Sequence, residues 1–273
     1  MTWRAPSDAP IALDATLGSG QVFHWKKDVE GIWHGLVGDV PLRVRERGGR
    51  LLAEPGRGGL ARRYFSLDHP LEEIYARFPV DRASIEALEM CRGLRMIRQP
   101  RWECLATFIT SSMKKVAHIR AMSTALRLKY GTPVAGSDIR AYPSPEALAA
   151  ASEQGIRECG LGYRSGNLLL TARRIADGLT DLDALAALPT PDLRRALEGL
   201  PGVGVKVANC ALLFAYERLD AVPIDVWIRR VLLTMRNGRS GTPSQFARYA
   251  RLRLGPYAGY VQQYLFHRAR TGL

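Results

Sequence analysis

Leu200-Pro201-Gly202-Val203-Gly204-Val205-Lys206-Val207-Ala208-Asn209-Cys210, preceded by Leu197, reads as a short helix running into a glycine turn and then a second helix. In this helix-hairpin-helix pattern Leu200 and Val203 anchor the turn. The bare amides of Gly202 and Gly204 face outward, where they suit an anionic ligand such as a phosphate. The helix behind the turn carries Lys206 near its start, and Asp225 follows nineteen residues later in Val222-Pro223-Ile224-Asp225. Taken singly, Lys206 is an ordinary solvated lysine and Asp225 an N-cap for the helix through Val226-Trp227-Ile228-Arg229-Arg230. Placed together behind one hairpin, they supply an amine nucleophile and a carboxylate. That is the pair needed to cleave a glycosidic bond through a Schiff base.

Charge points the same way. The chain of 273 residues holds 39 Lys and Arg against 26 Asp and Glu, a formal net charge of +13. Such a balance favours a polyanionic partner, because each phosphate neutralised releases counterions. A generally basic proteome or an arginine-rich codon bias gives the same balance, so charge only tilts the reading toward nucleic acid. With 47% hydrophobic and 24% charged residues the chain is long enough and apolar enough for two or three packed subdomains. Cys91, Cys104, Cys159 and Cys210 are widely spaced, with no C-x-x-C pair and no clustered histidines, which argues against zinc, iron–sulfur and disulfide frameworks. Met1 to Pro10 lacks the apolar core of a signal peptide, and no apolar run approaches membrane-spanning length. The expectation is a soluble intracellular protein, monomeric by default.

Around the hairpin the chain divides in two. Gln21 to Trp25, Ile32 to Gly38, Leu42 to Arg45 and Arg50 to Ala53 are β-favouring runs, separated by turn signals at Lys27-Asp28, Gly38-Asp39 and Gly48-Gly49. They predict an antiparallel meander, followed by a helical segment from Leu71 to Phe78. From Asp81 onward amphipathic helices are expected over 101–111, 116–130, 145–151, 166–178, 192–197, 204–216, 225–235 and 256–268. The fold class is α+β: an N-terminal antiparallel sheet domain over residues 1–91, then a mainly helical body over 92–273 with the hairpin at about 193–216.

Leu200 to Cys210 and Val222 to Asp225 resemble the signature of the helix-hairpin-helix DNA glycosylases, and more narrowly of the 8-oxoguanine DNA glycosylase/AP lyase family. The resemblance extends to Leu17-Gly18-Ser19-Gly20-Gln21-Val22-Phe23-His24-Trp25 and to Glu103-Cys104-Leu105 through Ser111-Ser112. It continues in Gly160-Leu161-Gly162-Tyr163-Arg164 and in Gly255-Pro256-Tyr257-Ala258-Gly259-Tyr260 through Phe266. Several separated motifs in the right order are far more specific than any one of them.

The resemblance implies a base excision repair enzyme acting on double-stranded DNA that contains oxidised guanine. Lys206 matches the Schiff-base nucleophile and Asp225 the catalytic carboxylate. The damaged nucleotide is flipped out of the stack into a pocket. There Phe266 matches the aromatic stacking on one base face, Cys210 the thiol on the other, and Gln262 the amide that reads the Watson–Crick edge. Gly20 matches the glycine whose carbonyl accepts from N7–H, a proton that oxidised guanine has and guanine lacks. Tyr163 matches an aromatic wedge in the duplex and Arg164 a partner of the estranged base. Gly202 and Gly204 match the phosphate-facing amides. No cofactor is implied, although backbone carbonyls of Glu198, Leu200 and Val203 match a site for a monovalent cation, K+ or Na+. A bacterial cytoplasm, at the nucleoid, is the expected location, or the nucleus in a eukaryote.

Three departures bear on specificity. Met113 stands where better-known members carry an asparagine that bonds the opposite cytosine; it can fill the gap but reads no base edge. His118 replaces an arginine that contacts the same cytosine, with shorter reach and no bidentate fork. Trp227 replaces a histidine near the phosphate backbone. Two rivals are a monofunctional glycosylase that activates water through Asp225, and a non-catalytic hairpin module that binds duplex DNA. The first has no need of Lys206; the second has no use for Lys206, Asp225, Gln262 and Phe266 together.

Overall fold

The computed structural model describes residues 3–111 and 114–272. Strands β1 (Lys26–Lys27), β2 (Trp33–Val37), β3 (Val40–Arg47) and β4 (Arg50–Ala53) form one antiparallel meander in chain order. Two-residue turns link β2 to β3 (Val37 opposite Val40) and β3 to β4 (Arg47 opposite Arg50). Alternation puts Leu42 and Val44 of β3 and Leu51 and Ala53 of β4 on one face. Helices α1 (Leu13–Gly18) and α2 (Gly58–Tyr64) contribute to the core against that face, which includes Leu17, Trp25, Tyr64 and Phe65.

The remaining helices are α3 (Leu71–Tyr75), α4 (Arg82–Cys91), α5 (Arg101–Ser111), α6 (Val116–Tyr130), α7 (Pro145–Ala149), α8 (Glu153–Ile156) and α9 (Arg164–Ala176). They continue with α10 (Thr190–Glu198), α11 (Val205–Phe214), α12 (Val226–Met235), α13 (Pro243–Leu254) and α14 (Ala258–Thr271). Their shared core centres on three elements buried nearly all round: α5 from Glu103 to Ser111, α11 from Val207 to Phe214, and α14 from Ala258 to Leu265. Packing does not break at residue 91, where composition changes. Leu71, Ile74, Phe78, Ala87 and Cys91 all belong to the helical core.

Gln21 to Trp25 does not join the sheet, contrary to its β-favouring composition. Val22 and Trp25 enter the sheet's core while Phe23 enters the helical core, so the segment stitches the two together. Its polar groups bond to side chains and single carbonyls instead of a strand ladder: Gln99 Nε2 donates to Gln21 O at 2.8 Å, and His24 Nε2 lies 2.8 Å from Leu36 O. Only Lys26 and Lys27 pair with β2.

The same segment creates a pH-sensitive joint. His24 is buried, with Nδ1 3.2 Å from Glu103 Oε1, and Glu103 also pairs with Arg127. Burial, then the Arg127 charge, holds the imidazole well below its usual range. The unfolded chain takes up this proton below about pH 6.5 and the folded chain resists it, so stability falls as pH drops through that value. Burial raises the Glu103 carboxyl, which acts in the opposite sense at lower pH. Wild type is expected to lose roughly 2–4 °C of Tm from this site per pH unit below about 6.5. His24→Gln, which keeps a donor for Leu36 O, should remove that loss; equal losses in both proteins would refute the assignment.

Candidate active site

The hairpin forms as its sequence requires. Leu197, Leu200 and Val203 are buried, Gly202 adopts φ +78°, and the Val203 amide donates to Leu200 O at 3.1 Å. A Cβ on Gly202 would lie 2.8 Å from Asn167 Cβ, so only glycine lets the turn pack this closely on α9. Thr171 Oγ1 ties Pro201 O to the same helix at 2.8 Å. Gly202 and Gly204 themselves are exposed at the start of α11, as an anion-facing turn needs.

Lys206, the second residue of α11, is half-buried. Its Nζ donates to Ser111 Oγ at 3.2 Å, at the end of α5, and lies 5.1 Å from the Phe108 ring centroid. Cys210 lies four residues on, buried on the same face of the helix. Burial pushes its thiol up, against the opposing pull of the Lys206 charge. Asp225 caps α12: Oδ1 accepts from the amides of Trp227 at 3.0 Å and Ile228 at 2.8 Å. Burial raises its carboxyl above the ordinary aspartate range, while those amides and the charge of Lys206 pull it down. Oδ1 of Asp225 serves the cap, and Lys206, Cys210 and Asp225 sit within each other's electrostatic reach.

A second group of expected residues meets beside them. Gly20 has φ +83°, and a Cβ there would lie 3.3 Å from Phe266 Cε1 and 3.7 Å from Val116 Cγ2. Gln262, on the same helix as Phe266, is 3% exposed, and its Oε1 has no hydrogen-bond partner among the described residues. An unpaired buried amide oxygen costs free energy unless a ligand supplies the donor. Ser111 at the end of α5 touches the lysine, and Val116 at the start of α6 flanks Gly20, so these two successive helices border the two groups. Two surface clefts, of about 340 and 780 Å³, lie elsewhere and are lined by none of these residues.

The outlying residues fare differently. Tyr163 is 71% exposed, as a wedge requires. Arg164 is only 6% exposed, with its guanidinium 4.3 Å from the Tyr163 ring centroid; it backs the aromatic instead of projecting freely from an exposed turn. His118 is exposed on α6, and Trp227 is 36% exposed with Arg230 over its ring at 5.3 Å. Met113 lies outside the described residues. Ser111 and Phe108 were not singled out as site residues, because a contact across 95 positions leaves no local trace. Asn209 was also missed. It is 6% exposed with an unpartnered Oδ1, and its place three residues after Lys206 on a helix was a readable signal.

No family model matches the chain. It is 30% identical over 297 residues to a probable N-glycosylase/DNA lyase of Methanothermobacter thermautotrophicus, covering 96% of this chain and 94% of that protein. Its fold superposes on the apo form of the Clostridium acetobutylicum 8-oxoguanine glycosylase/lyase with a TM-score of 0.87 at 25% identity, covering 94% and 92% of the two chains. The chain belongs to the 8-oxoguanine DNA glycosylase/AP lyase family. A further solved structure, MBOgg1 in complex with a low-affinity DNA ligand, matches with a TM-score of 0.92 at 28% identity over 100% of this chain and 99% of that one. The sheet followed by a helical body is thus the family's architecture. Among the described residues no group of His, Cys, Asp and Glu could hold a metal ion, and no helix is long and apolar enough to cross a membrane.

Proposed function

We propose that this protein is a bifunctional DNA glycosylase and AP lyase that removes 8-oxoguanine from duplex DNA. The observation that carries the reading is the placement of Lys206: its amine is half-buried on α11, 3.2 Å from Ser111 Oγ and within the field of the desolvated Asp225 carboxylate. With the nucleotide everted, the Lys206 amine attacks C1′ and the bond to N9 breaks, its electron pair leaving with the base. Asp225 stabilises the cationic character at the sugar and assists proton transfer. The C1′–O4′ bond then breaks, O4′ taking up a proton, to give the Schiff base; this acidifies the C2′ hydrogen, and loss of that proton expels the 3′ phosphate, nicking the strand.

Gly20, Cys210, Gln262 and Phe266 form the base site, with the unpartnered Gln262 Oε1 awaiting a donor from the Watson–Crick edge. Tyr163, backed by Arg164, wedges the duplex. Gly202, Gly204 and Trp227 face the phosphates. The carbonyls of Glu198 and Val203 accept no hydrogen bond outside regular helices among the described residues, whereas Leu200 O accepts from the Val203 amide. Neutral oxygens of this kind fit a weakly held K+ or Na+, which would stiffen the turn that presents the amides.

Borohydride trapping on a duplex containing 8-oxoguanine tests the reaction: a covalent adduct is expected. Excision without an adduct would indicate the monofunctional reaction, and binding alone a non-catalytic module. His118 and Met113 further predict weak preference for the opposite base, because neither presents a bidentate fork to cytosine. Excision rates opposite the four bases should differ by less than about tenfold; a strong preference for cytosine would refute this.

A further inference from the structure

The carbonyls around Gly20 are held from the helical body in an ordered way. Gly18 O accepts from Arg270 Nη2 at 2.5 Å, and Ser19 O from Gln263 Nε2 at 2.9 Å, both donors lying on α14. Gln21 O accepts from Gln99 Nε2 at 2.8 Å. The Gln21 side chain locks the same loop to the segment after α4. Its Nε2 donates to Ser19 Oγ and Arg95 O, each at 2.9 Å, and its Oε1 accepts from the Ile97 amide at 2.9 Å. Ser19 Oγ in turn donates to Thr16 O at 2.8 Å. Ser19 and Gln21 are fully buried, and Gln263 and Gln99 are 3% and 9% exposed.

From residue 18 to 21, Gly20 O is thus the one carbonyl that accepts no hydrogen bond among the described residues. Gly20 sits at φ +83°, where glycine is otherwise free to swing its peptide planes. Its carbonyl belongs to the plane between Gly20 and Gln21, and the planes on either side are those whose oxygens Gln263 and Gln99 hold.

We infer that Gln263 and Gln99 are positioning residues for lesion recognition, fixing the direction of the Gly20 carbonyl without touching the damaged base. This rests on the role proposed above for Gly20. A carbonyl held still presents its lone pair to N7–H of 8-oxoguanine and to the lone pair of N7 in guanine, so its value lies in discrimination. A carbonyl free to rotate accepts either base less selectively. Opening of a preformed abasic site needs Lys206 but no base contact, so it should be spared.

The test is Gln263→Met, which keeps the volume of the side chain and removes the donor. Expected is a fall of about tenfold or more in kcat/KM for 8-oxoguanine excision and in discrimination against guanine. Cleavage of a preformed abasic site, measured well below the Tm, should stay within about threefold of wild type, although the orphaned Ser19 carbonyl lowers the Tm by several degrees. Unchanged discrimination, or a parallel fall in both activities, would overturn the inference. Should Gln263→Met not fold, Gln99→Met frees the other flanking plane and is judged by the same two activities. A wild-type enzyme that fails to discriminate 8-oxoguanine from guanine would overturn the Gly20 role itself, whereas discrimination kept by the wild type and the variants alike overturns only the positioning.

Discussion

Lys206→Gln is expected to abolish the borohydride-trapped adduct and to lower both excision and strand nicking by roughly a thousandfold or more. Glutamine fills most of the lysine's volume and keeps a hydrogen-bond donor within reach of Ser111 Oγ, but its amide nitrogen is not nucleophilic. Among the described residues Lys206 makes no ion pair, and its Nζ donates to Ser111 Oγ at 3.2 Å, so folding should be little affected. Tm and affinity for an uncleavable duplex therefore serve as controls. Nicking that persists at wild-type rates on a preformed abasic site would refute the Schiff-base mechanism.

Asp225→Asn should lower kcat by about 10²–10⁴-fold with Tm nearly unchanged. Asparagine caps helices about as well as aspartate, and Asp225 Oδ1 accepts the Trp227 and Ile228 amides at 3.0 and 2.8 Å through an oxygen that asparagine retains. What disappears is the negative charge facing the sugar. Burial raises the Asp225 carboxyl, so it stays protonated to a higher pH than an ordinary aspartate. In the proposed mechanism the active form is the carboxylate. Hence kcat/KM should fall on acidification with a midpoint above about pH 3.9, the unperturbed value. That limb should be missing from the residual activity of Asp225→Asn. A rate that is independent of pH through this range in wild type, or a variant of full activity, would count against the carboxylate.

Where the fold follows from local signals, the sequence is legible. Helices α5 and α6 span the residues their periodicity marks, and the hairpin and the cap at Asp225 follow from glycine and aspartate chemistry. Helix α13 was overlooked despite a full capping box between Thr242 and Gln245 with Pro243 at its first position. Gln21 to Trp25 misled for a physical reason. A β-favouring run of this kind usually means a strand, but here Val22 and Trp25 serve one core and Phe23 the other. Arg164 misled similarly, since a turn next to exposed Tyr163 gives no hint that the arginine folds beneath the ring. Contacts such as Gln263 with Ser19, 244 positions apart, exist only once the chain has closed on itself.

The strip joining the two cores carries Gly20 at its front edge, and the final helix of the chain carries Phe266 behind it. On the proposed roles, three of the four base-site residues, Gly20, Gln262 and Phe266, therefore lie towards the two ends of the polypeptide, while the nucleophile, its carboxylate and Cys210 lie between them. A shift in substrate range can then arise from changes near either end that leave the nucleophile and its carboxylate untouched. Partial loosening of the amino-terminal sheet should blunt selectivity well before it silences strand cleavage.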